Sequence, residues 1–331
     1  MDKKNKRYII NVGIFFLVIF LAFYFHNTKI YTFSKSALVM DTFIEIEIET
    51  KDKDGAKLID ESINLIEKYE KKFDFYNEDS EISKINELTN SEIDEEIFEI
   101  LKMSEEIYNQ TGFLYDVSVG KLSKLWDFDN QVIPTEDQLE QTLRQVGFDK
   151  VSYTKKNITK PKELELNFGS IAKGFIIDKV IELLRANNVE TAIINAGGDI
   201  RIIGKKKPLL IGIQHPRAER GELFGKISIA NNAIVTSGDY ERYFEIDGIR
   251  YHHILNPQTG YPANENISVT VIAENAMLAD AYSTAFFVME HDKAVELADR
   301  IDGVEVMMVT EINGKLEKIF SNNMKRYIEE E

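Results

Sequence analysis

Cysteine is absent from the 331 residues. That excludes disulfides, thiolate metal ligation, a cysteine nucleophile and a lipid-modified cysteine near the start. Basic charge is also scarce: 40 Lys and Arg face 56 Asp and Glu, a net charge of −16. A nucleic-acid backbone is held by clustered Lys and Arg, so this balance argues against such a partner. Several catalytic signatures are missing too. The chain has no G-x-S-x-G, Walker A, G-x-G-x-x-G or H-E-x-x-H pattern, which removes the usual marks of serine hydrolases, P-loop enzymes, dinucleotide folds and zincins. No internal repeat or low-complexity tract is present, and the length suffices for a large core in one domain or two lobes.

The first thirty residues read as a targeting element. Lys3, Lys4, Lys6 and Arg7 precede an apolar run from Tyr8 to Phe25, broken only by Asn11 and Gly13. A span of about 18 to 20 residues crosses a bilayer as a helix. A cleavable signal peptide has a shorter apolar core and ends at small residues, which FYFHNTKI does not offer. Residues 1–30 are therefore expected to be an uncleaved signal-anchor. The positive charges place the N-terminus inside and the rest of the chain on the extracytoplasmic side of the cell membrane.

Beyond a linker at His26–Lys35, Leu38–Thr50 puts Thr42, Ile44, Ile46 and Ile48 on one face and Glu45, Glu47 and Glu49 on the other, a half-solvated strand with Met40 and Asp41 at its entrance. Ala56–Phe73 and Glu92–Asn109 have helical apolar stripes. Asp79 or Ser80 caps a short turn, and Thr135 caps a helix over Pro134–Phe148. Thr111–Trp126 reads as turn, strand and turn, with Asp116 interrupting apolar residues and the lone Trp126 in the core. Thr191–Gly204 reads as two strand segments about Gly197–Gly198, glycines that mark a bulge or a close approach. Asp247–Gly248 and Asn313–Gly314 predict hairpin turns. Helices interspersed with short strands give an α+β class, with mixed sheets and packed helices forming one two-lobed domain over 31–331.

Three stretches carry chemistry. Leu164–Gly174, LELNFGSIAKG, reads as a strand end and a tight turn at Gly169–Ser170, leading into a helix from Ala172. Such a joint presents free N–H groups to phosphate, with Lys173 as a point charge beside it, although many strand–turn–helix joints hold nothing. The helix NAMLADAYSTAFFVMEH is apolar nearly all round, with Asp280 and Thr284 on one face at i and i+4. A buried carboxylate needs a partner, and both a structural ion pair and a hard cation such as Mg²⁺ fit two oxygen ligands one turn apart. Finally, His252 and His253 are strand neighbours, so one imidazole at most faces a given site.

In this order, the segments MDT, YNEDSEISKIN, TGFLYDVSVGKLSKLW, NFGSIAKGFIID, NAGGDIRIIG, TSGDYERYF, HHILNPQTGYP and ADAYST resemble the ApbE family of flavin transferases, over about Leu38 to Thr310. The resemblance implies an α+β fold with FAD in a deep cleft, and transfer of FMN from FAD to a threonine hydroxyl with release of AMP and a need for Mg²⁺. It implies that Met40 and Tyr76 pack on the flavin or adenine, that Leu114, Tyr115 and Asp116 contact adenosine, and that Asn167, Lys173 and Ile254 also bind the dinucleotide. Mg²⁺ would be held by Asp280, Thr284 and a backbone carbonyl around Ser170. His253 would be the base on the acceptor threonine. Two positions depart from the family pattern: Asn167 and Asn256 stand where Asp is usual. With no lipobox cysteine, the anchor would take over membrane attachment. The implied acceptor is an extracytoplasmic domain of an electron-transfer complex. Hydrolysis of FAD to FMN and AMP, and flavin binding without turnover, are the alternative outcomes at the same site.

Overall fold

The structure, a computed structural model, describes residues 29–329 together with 14–16 and 18–19. Most of the expected anchor lies outside the described residues. Among those described, no helix is long and apolar enough to cross a membrane.

The frame is an eight-stranded sheet: β1 (Tyr31–Val39), β2 (Thr42–Thr50), β3 (Thr191–Ala196), β4 (Asp199–Ile203), β5 (Ala233–Gly238), β6 (Ser268–Ala273), β7 (Glu305–Ile312) and β8 (Lys315–Phe320). Spatial order follows chain order, and every ladder is antiparallel. The smaller sheets are antiparallel as well, so the expected mixed sheets prove to be antiparallel ones. The reason is topological: each strand, however long the excursion after it, is followed by its antiparallel neighbour.

The alternation in β2 holds: Ile44, Ile46 and Ile48 are fully buried, each contributing roughly 1.5–3 kcal/mol of burial. The linker reading of 26–35 fails, because Tyr31–Val39 is a strand paired along its whole length with β2. Met40 and Asp41, both at φ +54°, form the two-residue turn between them. That is the left-handed pair that suits the twist of a tight hairpin.

Period-two patterning divides the core into layers. On β5, Ala233 and Val235 face the helices while Ile234 faces away; Val306 and Met308 oppose Met307 on β7 in the same manner. Against the first face pack α1 (Gly55–Phe73), α3 (Ala172–Ala186) and α4 (Ala276–Val288), with α2 (Glu95–Gln110) lying against α4. The hairpin of Leu209–Gln214 and Leu223–Ile229 covers the second face. A separate small core forms around Leu122, Trp126, Leu139, Val146 and Phe244. It joins the 120–146 segment to the hairpin of Tyr243–Ile246 and Ile249–His252.

Three other local expectations change. Residues 112–119 are irregular rather than a strand, and Gly120–Leu125 is a short helix. Gly112 and Phe113 take φ +61° and +72°, and Asp116 accepts N–H groups from Ser118 and Phe148 at 2.7 and 3.2 Å. A carboxylate that captures local amides competes with a sheet ladder. Residues 164–167 hold only an isolated bridge, Val119 to Glu165. The helix after Thr135 is confined to Glu136–Leu143, opened by a full capping box.

Candidate active site

The first wall of the site is the turn that starts α3. Asn167 is fixed by its N–H to Val117 O at 2.7 Å, and its Oδ1 accepts the Gly169 N–H at 2.9 Å. The hydroxyl of Ser170 donates to the buried Tyr115 hydroxyl at 3.1 Å. No side chain of its own caps α3 at Ile171. The Gly174 N–H instead donates to Asp280 Oδ2 at 2.9 Å, while Ser170 and Lys173 N–H have no protein acceptor among the described residues. The turn therefore keeps the free donors and positive dipole end that suit a phosphate.

The second wall is α4. Asp280 and Thr284 line the same cleft as the turn. Facing them, the Lys173 ammonium lies 2.6 Å from Oδ2 of buried Asp199, so it is not the free point charge the sequence suggested. Burial and the neighbouring Asp199 push the Asp280 carboxyl up to about 7, against the pull of Lys173 and the Gly174 N–H. Burial opposes the Lys173 charge, but Asp199 and Asp280 outweigh it and hold that pKa above its ordinary value. One cation thus serves two buried carboxylates.

The donor set fits a hard cation. No three His, Asp or Glu side chains converge as a metal cluster among the described residues. What converges is one carboxylate, a hydroxyl and a turn, all oxygen donors. That suits Mg²⁺, which takes one or two protein carboxylates and completes its shell with water and substrate phosphate.

The third wall carries the two histidines, and their hydrogen bonds separate them. His252 is buried, with Nε2 on Ala263 O at 2.6 Å and Nδ1 accepting the Ile254 N–H at 3.3 Å. A carbonyl only accepts, so His252 is the Nε2–H tautomer with both nitrogens used. His253 lines the cleft, and its Nδ1 contacts Arg242 O at 3.3 Å. By the same logic Nδ1 carries the proton, leaving Nε2 with a free lone pair. The ring is open to the cleft, yet the surrounding walls desolvate it, and with His252, Arg242 and Lys173 they push its pKa down to about 4. It is a neutral base at physiological pH.

These walls enclose a cleft of about 390 Å³. It gathers Tyr76, Leu114, Tyr115, Asp116, Asn167, Ser170, Lys173, His253, Ile254, Asp280 and Thr284. Met40 is not among the lining residues; it sits on the β1–β2 turn, where its N–H donates to Glu70 Oε1 at 2.6 Å. The lining also includes residues given no role from sequence, chiefly Asp199, Glu241 and Arg242. Gly197–Gly198 is the turn between β3 and β4 rather than a bulge, at φ +64° and +105°. A Cβ on Gly197 would lie 2.2 Å from Thr42 Oγ1. The tight turn that glycine permits delivers Asp199 to the cleft, and the adjacent glycines were the one signal for it.

The ApbE family profile matches residues 40–308. The chain belongs to the ApbE family. Among its ApbE relatives, a Vibrio cholerae protein named FAD:protein FMN transferase is 30% identical over 287 residues, covering 83% of this chain and 86% of that one. A Haemophilus influenzae protein of the same name is 34% identical over 266 residues, covering 75% and 77%. The crystal structure of the ApbE protein of Thermotoga maritima superposes with a TM-score of 0.82 at 32% identity, covering 91% of this chain and 100% of that one. The flavin transferase ApbE of Vibrio cholerae superposes with a TM-score of 0.81 at 27% identity, covering 90% and 100%.

Proposed function

We propose that this chain is an FAD:protein FMN transferase that moves FMN onto a threonine or serine hydroxyl of an acceptor protein. The observation that carries the reading is the free Nε2 of His253 in the same cleft as the Ser170 turn, Lys173 and Asp280. The hydroxyl oxygen attacks the phosphorus on the FMN side of the diphosphate, forming a phosphoester. The bridging P–O bond breaks and AMP leaves with the bridging oxygen. The hydroxyl proton passes to Nε2 of His253, which the Arg242 carbonyl holds in the accepting tautomer. Donors of the Ser170 turn and the Lys173 ammonium face the charge that develops on the phosphoryl oxygens.

Asp280, Thr284 and the carbonyl side of the Ser170 turn would hold Mg²⁺. Neutralising charge on the diphosphate is what that ion supplies when bound. Tyr76, Leu114, Tyr115, Asp116, Asn167 and Ile254 would embrace the FAD. The acceptor is taken to be an extracytoplasmic domain of an electron-transfer complex. The basic start and the apolar run to Phe25 support a single-pass anchor that leaves the cleft outside the cell membrane. The test is mass spectrometry of a candidate acceptor after incubation with the full chain, FAD and Mg²⁺. A mass gain of one FMN with stoichiometric AMP supports transfer. FMN and AMP released free, with unmodified acceptor, would mean hydrolysis instead.

A further inference from the structure

Asp178 ends the motif NFGSIAKGFIID, yet it does not line the cleft. It lies one helical turn beyond Gly174 on α3, and its carboxylate reaches across to the start of α4. Oδ1 accepts the Ala276 N–H at 3.0 Å and Oδ2 accepts the Met277 N–H at 2.8 Å. Both are first-turn amides, orphaned by helix geometry and attractive to an anion. α4 already has a cap of its own, since Asn275 Oδ1 accepts the Leu278 N–H at 2.9 Å. Asp178 therefore does more than end a helix; it ties one helix to the other.

The tie has a counterpart. Gly174 lets the backbones meet: a Cβ there would lie 2.2 Å from Ala276 O and 2.7 Å from Met277 Cα. Its N–H donates in the reverse direction, to Asp280 on α4. Three hydrogen bonds and one missing side chain thus set how far α4 sits along α3. That displacement is also the separation between the Asp280–Thr284 pair and the turn at Ser170, because the turn runs without a break into α3.

We infer that Asp178 is a positioning residue, holding the carboxylate and hydroxyl of α4 in register with the Ser170 turn so that one cation is shared between them. The inference rests on the Mg²⁺ site proposed above. Residues that orient metal ligands from behind typically change metal affinity by about 10- to 100-fold when altered, and a misregister of α4 acts on the ligands in the same way.

The experiment titrates MgCl₂ against the full chain with FAD present. It reads the half-saturating concentration from the thermal-unfolding midpoint and, separately, from the rate of AMP release. Asp178→Asn keeps the shape but turns an amide donor toward one of the two N–H groups. It is expected to raise half-saturation by about 10-fold or more in both readouts, with the rate recovering at high Mg²⁺. Asp178→Glu keeps the carboxylate and should recover part of the affinity. Asn275→Ala is the control: it removes the ordinary cap of α4, so it should lower the unfolding midpoint while leaving Mg²⁺ half-saturation unchanged. Should Asp178→Asn fail to fold, Gly174→Ala carries the same test by forcing the backbones apart. Unchanged half-saturation in the folded variants, or an equal shift in Asn275→Ala, overturns the positioning role. A wild type with no Mg²⁺ response at all overturns the cation site itself.

Discussion

Lowering the pH should weaken the cation site long before it silences the base. Asp280 is pushed up to about 7 by burial and by Asp199, whereas His253 is pushed down to about 4 by the cleft walls and nearby cations. A raised carboxyl pKa means that protons compete with metal below that value. At about pH 5.5 the competition amounts to a factor of about 30 in apparent Mg²⁺ affinity, from a gap of about 1.5 pH units. A lowered imidazole pKa means that His253 is protonated only at still lower pH, with about 3% in the cationic form at the same pH. The assay is initial-rate FMN transfer at a series of Mg²⁺ concentrations between about pH 8 and 5.5, reporting kcat/KM, which reflects the free enzyme. Half-saturating Mg²⁺ should climb steeply below about pH 7, while the rate at saturating Mg²⁺ stays nearly flat. A loss centred near 6.5, the ordinary imidazole value, that extra Mg²⁺ does not relieve would refute this assignment of the acid limb.

Four further outcomes are expected. His253→Ala should lower the transfer rate by roughly 10²–10⁴ with little change in FAD affinity. His252→Ala should keep its rate at low temperature but lose roughly 2–4 kcal/mol of stability, because both ring nitrogens and an edge-on contact with Phe287 disappear; an inactive but stable His252→Ala would reverse the roles. Asp280→Asn should abolish Mg²⁺-dependent turnover yet stabilise the metal-free protein near pH 8 by roughly 1–3 kcal/mol, read as a rise in the unfolding midpoint. Protease added outside intact cells should digest the chain beyond residue 30, and a soluble product starting near residue 26 would instead mean a cleaved signal peptide.

Legibility in the sequence tracks how local each device is. The Ile and Glu alternation of β2, the Asp280–Thr284 spacing and the Asp247–Gly248 turn are all specified within a few residues, and all three stand in the structure. β1 is harder to read because it lies at the sheet edge: its partly buried Tyr31, Phe33, Ala37 and Val39 share one face, but Lys35 interrupts it and the other face is largely polar. The stretch 112–119 misleads in the opposite sense. Its apolar alternation resembles a strand, while left-handed Gly112 and Phe113 and the Asp116 carboxylate hold it in turns. The separation of the two histidines was readable only as a parity argument; which one is locked depends on Ala263 and Arg242, carbonyls eleven residues away from their partners on either side.

The least legible feature is the charge arrangement, because Lys173, Asp199 and Asp280 come from three elements that meet only once the sheet and helices are assembled. Their sum explains why stability and catalysis pull apart here. One ammonium cannot neutralise two buried carboxylates, and a carboxyl whose folded pKa is raised from 3.8 to about 7 stabilises the fold only while protonated. That contribution is present below the unfolded value and is lost as pH rises through the folded one. Above about pH 7 the metal-free state would therefore carry a net negative charge in a poorly solvated place, which costs stability. A divalent cation reverses the sign and relieves that cost, so its binding should raise the unfolding midpoint most at high pH. Asparagine at position 280 relieves the same strain permanently and forfeits the binding. The cost of that charge in the metal-free state is thus a physical reason for the proposed site to take a divalent cation.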